Sequence, residues 1–168
     1  MKAGLVFGTF APMHEGHMDV IRTALAECDK VVAVCCGHDG DRGYPDFPLD
    51  KRHEYAVEAL KNMDVRVMKL EDTAVEVKKD WTDEQVWEFW AARMRVHLSE
   101  EGMVDYYGDE LIWYTSEADY EQLLTGAGQK VRKCEKVRDV SATKIRNAPA
   151  KYAGCVIKPF DKGFEGRI

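Results

Sequence analysis

Apolar positions along this chain follow two alternating rhythms. Ala3–Phe7 is a short continuous apolar run, the pattern of a strand buried on both faces of a parallel sheet. From Glu15 to Glu27 the spacing becomes helical. Met18, Ile21 and Leu25 form a stripe that Val20 and Ala24 widen. Cys28-Asp29-Lys30 breaks this helix, and Val31–Cys36 follows as a second strand rich in β-branched residues. Strand, helix and strand in this order predict a right-handed crossover and hence a parallel sheet. Leu49 to Asn62 reads as the next helix, with Tyr55, Ala56, Val57, Ala59 and Leu60 available to its buried face. Val65–Leu70 then completes a second crossover.

The second half repeats the rhythm less cleanly. Glu71 to Asp80 mixes signals: alternation at Val75 and Val77 suggests an extended piece, while its charges suggest a surface. An aromatic-dense stretch follows, with Trp81, Trp87, Phe89 and Trp90, and Thr82 is placed to cap a helix ahead of Glu84 and Gln85. Leu111–Tyr114 is another strand, and a helix runs to about Leu124, stopped by Gly126 and Gly128. Val131 to Val140 holds the last strand or strands, and Ser141 to Arg146 opens a short helix. Pro149 and Pro159 punctuate a tail, from about residue 155, whose glycines and charges predict loose packing. With no repeat, linker or low-complexity tract, residues 1–168 read as one α/β domain built on a doubly wound parallel sheet.

Composition narrows the class. At 168 residues the chain can bury a substantial core, and its formal charge of -6 argues against coating a nucleic acid. Five cysteines without framework spacing fit small apolar residues in a reducing compartment. The start of the chain lacks a signal-peptide pattern, and the longest apolar run, Val31 to Cys36, is too short to span a bilayer. The expectation is a soluble, cytoplasmic protein that contacts neither membrane nor nucleic acid.

The candidate chemistry lies where the first strand meets the first helix, in Gly8-Thr9-Phe10-Ala11-Pro12-Met13-His14-Glu15-Gly16-His17. A strand feeding a helix through a glycine-containing turn leaves the first helical N–H groups free for an anion. Imidazoles at that point add donors that can follow charge among phosphate oxygens. The HExxH pattern of zinc proteases requires histidines four apart; here they are three apart with Gly16 between, so no metal site is assigned. A second junction, Val140-Ser141-Ala142-Thr143-Lys144-Ile145-Arg146, places a capping serine ahead of two cations. Arginine can chelate phosphate oxygens bidentately.

GTFAPMHEGH resembles the GxFxPxHxGH signature of the nucleotidylyltransferase superfamily. The resemblance implies that Gly8 and Phe10 border the substrate pocket, that Thr9 lies on its ATP side, and that His14 and His17 contact the nucleotide phosphates. It also implies that Gly16 keeps the helix start open. VSATKIR resembles the second signature, ISxxxIR, with Val140 replacing isoleucine, which implies triphosphate contacts for Ser141 and Arg146 with Thr143 and Lys144 nearby. DRGYPDFPLDKR, DWTDEQVWEFW, LIWYTSEADY and the ending together resemble nicotinamide-nucleotide adenylyltransferases, akin to the adenylyltransferase domain of bifunctional bacterial NAD-biosynthetic regulators. That branch implies an indole stacked on the nicotinamide, Trp87 first and Trp81 second, with Trp90 assigned to the core. It also implies that Arg52 lies near the acceptor phosphate. No GxxxxGK[ST] loop is present and no helix-turn-helix precedes residue 3, so the kinase and repressor activities of those regulators are not expected here.

The implied reaction joins ATP and nicotinamide mononucleotide into NAD with release of pyrophosphate, and Mg²⁺ accompanies the ATP. The attacking phosphate is already an anion, so positioning and electrostatics rather than a base supply the acceleration. His14, His17 and Arg146 are the expected catalytic set. Both signatures are shared across the superfamily, so phosphopantetheine, a flavin mononucleotide or a phosphorylated alcohol stay open as acceptors. A nucleotide sensor without turnover is the reading from another class. Nicotinamide versus nicotinate preference and homo-oligomer formation are also open.

Overall fold

A computed structural model describes residues 1–38, 47–71 and 80–167. Among the described residues the strands are β1 (Lys2–Gly8), β2 (Lys30–Gly37), β3 (Val65–Glu71), β4 (Glu110–Thr115) and β5 (Val131–Lys133). They form one sheet in the order β3-β2-β1-β4-β5, and every neighbouring pair is parallel. The helices are α1 (Glu15–Glu27), α2 (Leu49–Leu60), α3 (Asp83–Glu100), α4 (Ala118–Gly126) and α5 (Ala142–Asn147), followed by short 3₁₀ turns at Ala153–Cys155 and Phe160–Phe164. This is the doubly wound, Rossmann-like architecture that the alternating rhythm predicts.

Strand periodicity explains the two layers. On one face Val6, Ala33, Cys35, Ile112 and Tyr114 pack against Ile21, Ala24, Ala56 and Leu60 from α1 and α2. On the other, Leu5, Val32, Val34 and Trp113 meet Ala91, Met94 and Leu98 from α3 and Leu124 from α4. Successive side chains of a strand point to opposite faces, so Ala3–Val6 of β1 and Val31–Cys36 of β2, buried on both faces, carry no polar side chain. Strand order reverses between β1 and β4, because β1 connects outward to β2 and β3 while β4 and β5 build the other wing. In open α/β sheets ligands bind outside the carboxyl ends of the strands at such a reversal.

Two expectations change. The last strand region contributes only Val131–Lys133 to the sheet, and residues 135–140 form a connector instead. The tail is tightly packed: Phe160 and Phe164 are wholly buried, with Phe160 5.5 Å from the Tyr55 ring and Phe164 5.4 Å from the Phe47 ring. A β-carbon on Gly163 would stand 1.9 Å from the Phe47 ring, so only glycine lets the tail close on that phenyl group. The same tail reaches the histidine turn, where His14 bridges Val156 and the Ile157 N–H donates to the Met13 carbonyl at 3.1 Å. Glycines and charges predicted looseness, but the two phenylalanines override them through burial. The extended piece expected around Val75 and Val77, and Arg42 and Tyr44 of the DRGYPDFPLDKR stretch, lie outside the described residues.

Candidate active site

A cleft of about 880 Å³ opens at the carboxyl end of the sheet, across the β1/β4 reversal. Gly8, Thr9, His14, Gly16 and His17 line one part of it; Ser141, Thr143 and Arg146 line another, and Trp87, Trp90 and Tyr120 a third. The two sequence signatures are joined directly, because Arg146 Nη1 donates to the Ala11 carbonyl at 2.8 Å. Its Nη2 reaches Thr143 Oγ1 at 3.2 Å.

The histidines are arranged by the helix they begin. His14 is the N-cap of α1, and its Nδ1 accepts the Gly16 N–H at 3.0 Å, while the His14 N–H donates to His17 Nδ1 at 3.0 Å. This reciprocal pair is a capping box made of imidazoles in place of the usual hydroxyl and carboxamide. It stacks the rings with centroids 3.9 Å apart. Burial, joined by the Lys136 charge, pushes the His14 pKa down to about 4. Burial and the neighbouring His14 ring hold His17 well below its ordinary value. Both rings are therefore neutral at pH 7, and since each Nδ1 is an acceptor, each proton must sit on Nε2. The site thus presents two fixed N–H donors rather than two cations. Gly16 is required for space: a β-carbon there would lie 2.8 Å from His14 Cε1.

Several expected residues sit elsewhere. Phe10 is buried and does not face the cleft; its ring stands edge-on behind His17, centroids 5.0 Å apart, so it supports the imidazole. Arg52 is wholly buried and does not line the cleft; its guanidinium donates to the backbone carbonyls of Thr9, Cys36, His38 and Phe47. Lys144 is ion-paired with Asp139 and lies off the cleft wall. Trp81 borders a separate shallow depression with Gln85, Glu88 and Phe89, because it precedes the Thr82 cap and so falls outside the phase of α3. Trp87 and Trp90, three apart on α3, share the face that looks into the cleft. Trp90, assigned to the core by sequence, also packs at 5.2 Å on Phe7 and 5.4 Å on Trp113, so it serves both places.

The connector from β5 to α5 adds Lys136 and Arg138, which carry no recognisable motif. Lys136 Nζ pairs with Glu117 at 3.1 Å across the mouth of the cleft. Arg138 grips Asp19 with Nε at 2.7 Å and Nη2 at 3.2 Å. Charge complementarity with the acids at Asp19 and Glu117 is the only sequence signal these cations offered. Among the described residues no three His, Cys, Asp or Glu side chains gather into a metal cage, and no helix is long and apolar enough to cross a membrane.

Comparison with known proteins agrees with this geometry. The cytidylyltransferase-like family matches residues 5–148. Phosphopantetheine adenylyltransferase of Campylobacter hominis is 38% identical over 81 residues, 47% of this chain and 50% of that protein. The enzyme of the same name from Lactococcus lactis subsp. cremoris is 41% identical over 64 residues, 38% of this chain and 37% of that protein. The matched segments thus span half or less of those relatives. The crystal structure of NadR protein in complex with NAD and AMP-PNP superposes with a TM-score of 0.73 and 27% identity, over 97% of this chain and 46% of that one. A second NadR structure, in complex with NR, gives 0.73 and 28% over 97% and 45%. The family match spans both signatures and the strands that carry them, and the chain belongs to the cytidylyltransferase-like family of HxGH nucleotidyltransferases.

Proposed function

We propose that this chain transfers the adenylyl group of ATP to nicotinamide mononucleotide, forming NAD and pyrophosphate. The observation that carries the reading is the meeting, in one cleft, of the paired Nε2–H donors of His14 and His17, the Arg146 guanidinium and the indole wall of Trp87 and Trp90. A triphosphate fits the donor end. A cationic pyridinium over an indole gains about 0.5–2 kcal/mol by cation–π attraction. The similarity to NadR structures holding NAD and AMP-PNP supports the same pair of ligands here.

In the proposed reaction a 5′-phosphate oxygen of nicotinamide mononucleotide forms a bond to the α-phosphorus of ATP. The bond from that phosphorus to the bridging oxygen of pyrophosphate breaks, and no proton needs removal. The imidazoles donate to the α- and β-phosphate oxygens as charge builds there. Arg146, with Thr143 and Ser141 beside it, faces the leaving group. Lys136 supplies positive potential from the rim. Mg²⁺ would enter with the ATP substrate, bound chiefly by the phosphate oxygens and water. The reaction is one of positioning and electrostatic stabilisation.

The curated relatives favour phosphopantetheine as the second candidate acceptor. Side-by-side turnover with ATP, Mg²⁺ and either nicotinamide mononucleotide, nicotinate mononucleotide or phosphopantetheine decides the acceptor. NAD as the dominant product supports the proposal. Adenylylated phosphopantetheine as the dominant product replaces it.

A further inference from the structure

Arg52 is wholly buried, and among the described residues its guanidinium bonds to backbone carbonyls and to a thiol. Nη1 donates to the Thr9 carbonyl at 2.6 Å and the Cys36 carbonyl at 2.7 Å, Nη2 to His38 at 2.9 Å and Nε to Phe47 at 2.8 Å. Those four carbonyls belong to three segments: the turn after β1, the end of β2 and the entry to α2. One planar fork thereby fixes the relative position of the strand ends beneath the cleft. Lysine, with a single tetrahedral nitrogen, cannot reproduce that geometry.

The residue after Thr9 shows what the fork restrains. Phe10 has φ +49, a left-handed conformation that a bulky L-residue adopts only when its surroundings over-determine it. The Thr9 carbonyl immediately before it is held by Arg52, and the Cys35 thiol also donates to it at 3.6 Å. On the other side the Phe10 ring stands edge-on to the His17 imidazole, interplanar angle 89°. Arg52, Thr9, Phe10 and His17 therefore form a continuous mechanical chain from α2 to the cleft.

We infer that Arg52 is the positioning residue of this site, setting the place of the His17 imidazole through the Thr9 carbonyl and the left-handed Phe10 without touching substrate. The inference rests on the proposed adenylyl-transfer reading for its kinetic arm alone. Its test is Arg52→Lys, read two ways. The first is kcat and KM for ATP and acceptor, under conditions where melting is cooperative. The second is the imidazole NMR resonances of His14 and His17 in the protein without nucleotide. Displacement of the His17 resonances, with kcat reduced 10- to 100-fold and both KM values within about threefold, is the expected result. Unchanged His17 resonances, or kcat within twofold of the parent, overturns the inference. So does an Arg52→Lys chain that no longer melts cooperatively, since the arginine would then be holding up the whole fold. If the parent protein transfers no adenylyl group, the NMR arm alone decides, and the two proposals fail separately.

Discussion

The backbone N–H of His14 donates to Nδ1 of His17 at 3.0 Å, and this bond makes a helix cap out of the two imidazoles that line the cleft. The same groups that terminate α1 fix the tautomer of each ring. Neutrality is maintained by burial, so structure and proposed chemistry share one electrostatic requirement.

That requirement makes stability depend on pH. In the unfolded chain a histidine titrates near 6.5, whereas His14 is pushed down to about 4 in the folded protein. Between these values the unfolded chain binds more protons, so stability is complete above the upper value and declines as pH falls toward the lower one. His14 alone accounts for about 3 kcal/mol across that window. Thermal melting from about pH 7.5 down to pH 4.5 should show the decline. His14→Asn, which retains a capping acceptor, should lessen it, with buried His17 supplying the remainder.

Gly16→Ala should disable the site from its centre. The added methyl group would sit within 2.9 Å of His14 Nδ1 and Cε1, forcing the ring out of its cap. A loss of kcat of about 100-fold, alongside roughly 1–2 kcal/mol of stability from the broken cap, is the expected outcome. Paired kinetics and denaturant melting check it.

Lys136→Ala should act on the nucleotide. It frees Glu117 to face the cleft as an uncompensated anion and removes a positive neighbour that holds the His14 pKa down. KM for ATP should rise roughly 10-fold, as for the loss of a charge-assisted contact. The His14 imidazole should titrate at higher pH by NMR. A normal KM would place Lys136 outside the triphosphate's reach.

Trp87→Ala should raise KM for nicotinamide mononucleotide up to about 10-fold while leaving KM for ATP near its parent value, in line with the loss of a cation–π face. Trp90→Ala should do the same and lower Tm as well, because Trp90 also packs on Phe7 and Trp113. An equal rise in both KM values for Trp87→Ala would make that indole part of the frame.

The sheet, the crossovers and the two signatures were legible because each rests on local pattern: apolar runs, helical stripes and residues at fixed spacing. Trp87 was singled out by the family resemblance, and the fold sets it on the cleft wall. Arg52 was not legible, because a buried cation satisfied by carbonyls looks in sequence like any surface arginine beside a lysine. Lys136 and Arg138 were hidden in a charged connector that reads as solvated until the fold lays it across α1 and the start of α4. The tail misled in the opposite sense. Phe160 and Phe164 are separated by Asp161, Lys162 and Gly163, yet a 3₁₀ turn brings both rings to the same core.

Transfer of label from ATP carrying it at the α-phosphate is the most direct test of the central claim. With Mg²⁺ and nicotinamide mononucleotide, the parent protein should move the label into NAD and release one pyrophosphate per NAD. His17→Ala, melting as the parent does, should slow that transfer by about 100-fold or more. Label that stays in ATP with the parent protein, or passes to NAD equally fast with His17→Ala, would contradict the account.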